Sequence, residues 1–84
     1  MIQVVVAVKD RAADAFGRPF FLPTAGMAVR SFMDEVNREA EDNQLHKHPD
    51  DFDLYQLGTY DDSTGMVECY ETPKLLMLGK QVRS

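Results

Sequence analysis

Two histidines, His46 and His48, stand two residues apart beside Asp50 and Asp51. Imidazoles and carboxylates in such a cluster are donors for zinc or nickel. No fourth ligand follows at a metal-site spacing, and the surrounding residues read as a loop, so solvated histidines and no metal are expected. The paired carboxylates Asp50/Asp51 and Asp61/Asp62 raise acid–base chemistry or calcium. Acid–base work needs two carboxylates in different environments facing one cleft. Adjacent aspartates in turns instead accept bonds from backbone N–H groups, and no glutamate closes a twelve-residue calcium loop. Cys69 has neither a CxxC partner nor a neighbouring histidine; it reads as a small apolar residue, buried or half-buried on a strand. Ser31 and Ser63 lack the setting of a nucleophile elbow, and there is no glycine-rich phosphate loop. The expectation is a protein that is not an enzyme and uses no cofactor.

A different set of residues points to binding. Lys9, Arg11 and Arg18 cluster along the first quarter of the chain, with Arg30 further on. Phe20, Phe21, Tyr55, Tyr60 and Tyr70 fall on expected strands. A basic groove with aromatic platforms holds a single nucleic-acid strand without reading its sequence. Against this, Phe20, Phe21, Phe32 and Phe52 are also the large side chains that a small domain needs for its core.

The elements that must position these groups follow from periodicity. Ile2–Val8 is rich in β-branched residues and barely alternates, so it reads as a strand covered on both faces. Lys9–Gly17 is a polar connection, a loop or a single helical turn. Residues 18–23 are bounded by Pro19 and Pro23 and read as a short edge strand. Thr24 is the expected N-cap of a helix from Ala25 to Asn37. Its stripe is Ala28, Val29, Phe32, Met33, Val36 and Ala40, and Asp34 and Arg38 form an i,i+4 pair on the outer face. Residues 41–51 read as a loop. Phe52–Tyr60 is a strand, with Phe52, Leu54 and Tyr60 on one face and Tyr55 and Leu57 on the other. Asp61-Asp-Ser-Thr-Gly is a hairpin loop in which Gly65 takes the positive φ. Met66–Glu71 returns, Pro73 breaks it, and Leu75–Leu78 is a fifth strand or an apolar tail. The fold class is thus α+β. Residues 1–84 make a single domain with a small, mostly antiparallel sheet in the order β-β-α-β-β, and one amphipathic helix packed on one face. Tyr55 and Leu57 suggest that a homodimer covers the second face.

Composition sets bounds. At 84 residues the chain buries only about 60–65% of its unfolded surface. An apolar content of 44% suffices for one core, and a lone cysteine suits a reducing compartment. No apolar run reaches membrane-spanning length. Met1–Val8 has no basic leader and reads as a strand rather than a signal peptide. The net charge of −5 is uneven: residues 34–62 carry ten acids against Arg38 and Lys47. An acidic middle repels polyanions, so a nucleic-acid site requires the basic residues of the two ends on one face.

Several stretches resemble a known family. These are Val4-Val-Val-Ala-Val-Lys-Asp-Arg-Ala, Arg18-Pro-Phe-Phe, and Ala28-Val-Arg-Ser-Phe-Met-Asp-Glu-Val-Asn. His48-Pro-Asp-Asp-Phe-Asp-Leu-Tyr-Gln-Leu-Gly-Thr-Tyr-Asp-Asp-Ser-Thr-Gly and Leu75-Leu-Met-Leu-Gly complete the set. In this order they resemble the small nonstructural protein of gokushoviruses, single-stranded DNA phages of the family Microviridae. The resemblance implies an accessory role in genome replication in the host cytoplasm. It further implies binding of single-stranded DNA during the switch to single-stranded genome synthesis. It brings no catalytic motif and assigns no residue a role. With the basic N-terminal third, it leads to the expectation of a homodimer that holds DNA through Lys9, Arg11, Arg18 and Arg30. The alternative is an interaction module that engages a host or phage protein through its acidic hairpin and helix face (Asp50, Asp51, Asp61, Asp62).

Overall fold

A computed structural model describes residues 1–82. The β-branched run at the start forms strand β1 (Ile2–Asp10), followed by β2 (Ala15–Phe16) and β3 (Phe20–Leu22). Helix α1 (Ala25–Asn37) comes next, then the short α2 (Gln44–Lys47) and a 3-10 turn at Pro49–Asp51. Strands β4 (Phe52–Asp61) and β5 (Met66–Leu78) form the closing hairpin, and a second 3-10 turn covers Gly79–Gln81. All pairings are antiparallel: β1 lies beside β4, β4 beside β5, and β2 and β3 share the outer edge of β1. The α+β class and the single amphipathic helix on one sheet face are as expected.

Residues paired across a ladder share a face, so the register sorts the sheet into two sides. Val4, Val6 and Val8 of β1 align with Leu22, Phe20 and Leu54, and Leu54 aligns with Met77. This side meets α1 through Ala28, Phe32 and Val36, with Val82 completing the core. The helix forms where the sequence places it. The Thr24 hydroxyl accepts the Met27 N–H at 3.1 Å, which satisfies one of the orphan donors of the first turn. Its far end is closed by Asn43, whose buried side-chain amide donates to the carbonyls of Glu35 and Arg38 at 2.8 Å each.

Five local expectations are corrected. Pro73 does not break the return strand, and Leu75–Leu78 is neither a separate strand nor a tail: β5 runs through from Met66 to Leu78. Four residues, Tyr70–Pro73, stand opposite the single Leu57, between the pairs Gly58↔Cys69 and Gln56↔Lys74. Proline is tolerated there because a bulge asks for no ladder donor. The connection at 9–17 is a hairpin, with Asp14 in left-handed geometry (φ 53°) and the Asp10 carboxylate accepting the N–H groups of Ala12 and Ala13. Residues 41–51 are mostly ordered into α2 and the 3-10 turn. Cys69 is exposed, because its side of β5 has no covering layer. Arg38 pairs with Glu35, Nη2 to Oε1 2.7 Å, in place of the expected Asp34; that contact holds the Glu35 carboxyl below its ordinary pKa.

Candidate nucleic-acid interface

The second side of the sheet carries the aromatic residues. Register places Lys9 with Phe16 and Asp53, Ala7 with Tyr55, Val5 with Phe21, and Gln3 with Tyr60. Phe16 meets Tyr55 edge-on with ring centroids 5.5 Å apart, and Phe21 meets Tyr60 likewise at 5.4 Å. These are preferred aromatic geometries. The two pairs sit on the same side as the small residues Val5 and Ala7, which are buried outside the main core cluster. The phenylalanine rings remain open to solvent, Phe16 at 42% and Phe21 at 47%. The Lys9 ammonium stands 5.6 Å from the centre of the Phe16 ring, within cation–π range.

The four expected binding residues take different places. Lys9 is half-buried, with Nζ 3.4 Å from the Asp14 carboxylate. Arg11 is drawn inward: its Nε lies 3.1 Å from the carboxylate of Asp53, which is only 2% exposed. Its guanidinium also donates to the Asp50 carbonyl. Asp53 further accepts the N–H of Gly79 at 3.3 Å. Arg11 thus clamps the β1–β2 turn, the start of β4 and the C-terminal 3-10 turn together. Arg18 is exposed in the β2–β3 connection, at the same sheet edge as Lys9 and Phe16. Arg30 is exposed on α1, which packs on the opposite side of the sheet. Lys9 and Arg11 thus each meet a carboxylate near the β1–β2 turn, Arg18 lies in the connection that follows β2, and Arg30 stands on the helix side.

The aromatic set also changes. Phe20 packs against the core, and the Tyr70 hydroxyl accepts a bond from Gln56 at 3.0 Å. Phe16 was not singled out from sequence. Its signal was the tight acidic turn at Asp10–Asp14, which reverses the chain and lays Phe16 beside Lys9.

Besides Asp14 and Asp53, which pair with Lys9 and Arg11, several acids lie elsewhere. Asp34, Glu35 and Glu39 belong to α1 or the residue pair beyond it, on the helix side. Asp61 and Asp62 close the β4–β5 hairpin: Asp61 accepts the Ser63 N–H at 2.9 Å, and Asp62 accepts the Met1 ammonium at 2.7 Å. That bond holds the Asp62 carboxyl below its ordinary pKa and raises the α-amine. His46 Nδ1 lies 3.0 Å from the Val36 carbonyl, which ties α2 to α1. Among the described residues no three metal-ligating side chains converge, and no helix is long and apolar enough to cross a membrane.

The phage ORF5 protein family matches residues 3–82, nearly the whole chain. This chain belongs to that family. Comparison with curated proteins and with solved structures gives no match. The phage ORF5 protein is thus described from its own residues: an open, aromatic sheet face with cations along one edge, of which Lys9 and Arg11 meet the carboxylates of Asp14 and Asp53.

Proposed function

We propose that this phage ORF5 protein is a nonstructural accessory factor of genome replication, of the gokushovirus kind. On this reading it holds single-stranded DNA during the switch to single-stranded genome synthesis, in the host cytoplasm. The observation that carries the reading is the pair of edge-on aromatic contacts, Phe16–Tyr55 and Phe21–Tyr60, on a sheet face bordered by Lys9 and Arg18. Unpaired bases stack on exposed rings at about 1–3 kcal/mol per base. Lys9 and Arg18 add phosphate contacts, and duplex DNA offers no free base faces to such a platform. Arg11 supports the site by holding its edge in shape and does not itself reach DNA. The protein-docking alternative is weaker, since Asp61 and Asp62, two of its four carboxylates, bind their own chain.

Fluorescence anisotropy with a labelled oligothymidine at low salt tests this. Binding is expected, at least tenfold weaker for a duplex of the same length. It is expected to fall by about tenfold or more in Phe16→Ala/Phe21→Ala, at 1–3 kcal/mol per lost stack, and less in Lys9→Ala/Arg18→Ala. Binding that ignores both double variants removes the site; no binding at all removes the function.

A further inference from the structure

Strand β5 is the outer edge of the sheet, and its free side has no neighbour. Ten of its thirteen residues are exposed, although Met66, Val67, Cys69, Tyr70 and Leu75 among those ten are apolar. Edges that stay open to water usually carry charge and little apolar surface. Val67 and Leu75, both on the aromatic side, are 51% and 45% exposed, and Met66 on the helix side is 61% exposed. From this exposed, apolar edge we infer that β5 pairs with β5 of a second copy about a two-fold axis normal to the sheet, through the Tyr70–Pro73 bulge.

The register follows from geometry. Glu68 aligns with Thr59 and Lys74 with Gln56, both on the helix side of the sheet; Val67 aligns with Tyr60 and Leu75 with Tyr55, both on the aromatic side. An antiparallel dimer about such an axis must set like side against like side. Glu68 and Lys74 share one side of β5, so an axis halfway between them, at Glu71, satisfies this rule. It sets Glu68 against Lys74 of the second copy and Val67 against Leu75. A shift by one position would oppose Cys69 on the aromatic side to Lys74 on the helix side. Among the registers that keep like sides together, this one matches carboxylate to ammonium at Glu68 and Lys74 and apolar to apolar at Val67 and Leu75, twice over by symmetry. Glu71 falls at the axis inside the bulge, where the ladder is already interrupted, and Pro73, which has no N–H to give, lies two positions from it. The aromatic faces of the two copies then run on as one surface. The dimer stands independently of DNA binding, and its test contains no DNA.

Sedimentation velocity on the full chain is expected to show a monomer–dimer equilibrium. Glu68→Lys should raise the dissociation constant about tenfold, since two attractive cross-strand pairs become repulsive. Adding Lys74→Glu to the same chain should restore it to within about threefold, because the symmetric swap regains both pairs. Independently, Val67→Cys/Leu75→Cys in a Cys69→Ser background should give a covalent dimer on a non-reducing gel. Within one chain those positions lie about 16 Å apart along the strand, beyond the roughly 6 Å Cα separation of a disulfide. A wild-type protein that stays monomeric at millimolar concentration overturns the dimer. A dimer indifferent to the charge reversal, unrestored by the swap or uncrosslinked by the cysteine pair overturns this register.

Discussion

Replacing Arg11 by alanine separates a structural cation from a DNA-contacting one. In the native chain the guanidinium is 47% exposed, whereas its partner Asp53 is 2% exposed. Removing the arginine leaves a buried carboxylate with one remaining donor, the Gly79 N–H at 3.3 Å. Breaking a fully buried pair costs about 3–5 kcal/mol. Water already reaches the guanidinium side here, so the expected loss is about 1–2 kcal/mol after discounting for screening. A domain of this length holds roughly 4–12 kcal/mol in all, so the loss is readily measured. Urea denaturation followed by circular dichroism should show the midpoint falling by about 1–2 M, at a slope near 1 kcal/mol/M. Arg18→Ala, which breaks no ion pair, should leave the midpoint in place. A double-mutant cycle with Asp53→Asn isolates the pair: the two losses should be clearly non-additive. If Arg11→Ala keeps the wild-type midpoint, or if the two substitutions simply add, the clamp is wrong and Arg11 returns to the set of free cations.

Three other outcomes follow from the packing. Leu54→Ala, at a fully buried position between β1 and α1, should cost about 2–5 kcal/mol in chemical denaturation; a loss below 1 kcal/mol would contradict that placement. Gly58→Ala would drive a methyl group into the Glu68 carbonyl and the Cys69 Cα, both backbone. The thermal midpoint should drop by about 10–20 °C, and an unchanged melt would mean that β4 and β5 are less close there. The Met1–Asp62 bond titrates from both sides. The lowered Asp62 pKa contributes fully above the ordinary carboxylate value near pH 4 and is lost as pH falls through the lowered value. The raised α-amine contributes fully below about pH 8 and is lost as pH climbs through the raised value. NMR titration of the Asp62 carboxyl carbon should give a midpoint below that of a free aspartate, and an ordinary midpoint would refute the contact.

Much of this architecture was legible in the residues because local chemistry dictates it. Thr24 ahead of a stripe at three- and four-residue spacing gives α1, and Asp61 through Gly65 gives the hairpin. What escaped depends on neighbours far away in sequence. Proline at 73 reads as a stop only if the strand needs a ladder bond there; opposite Leu57 it does not. Alternation along Phe52-Asp53-Leu54 sends Asp53 outward, yet both Asp53 and Leu54 are buried, because Arg11 and Gly79 arrive over Asp53. Cys69 reads as covered on any sheet with two layers, and this sheet has one. Of the binding set, the sequence shows Lys9, Arg11 and Arg18 as neighbours along the chain around β2. That Arg11 is committed to Asp53, and that Phe16 joins the aromatic face, emerged only once the chain had folded.

Strand β4, which joins β1 to β5, is synthesised long after β1, as the first arm of the closing hairpin. β1 finds β2 and β3 within a few residues, but its other edge waits for the roughly forty residues that separate it from β4, about 2–8 s of synthesis at ordinary elongation rates. Throughout that interval Val4–Val8 presents an open, valine-rich border to the nascent chain's surroundings. The order in which this sheet is written out therefore makes the unfinished polypeptide sticky at its beginning. Slow translation ahead of Phe52 should lower soluble yield far more than a slowdown after Leu78.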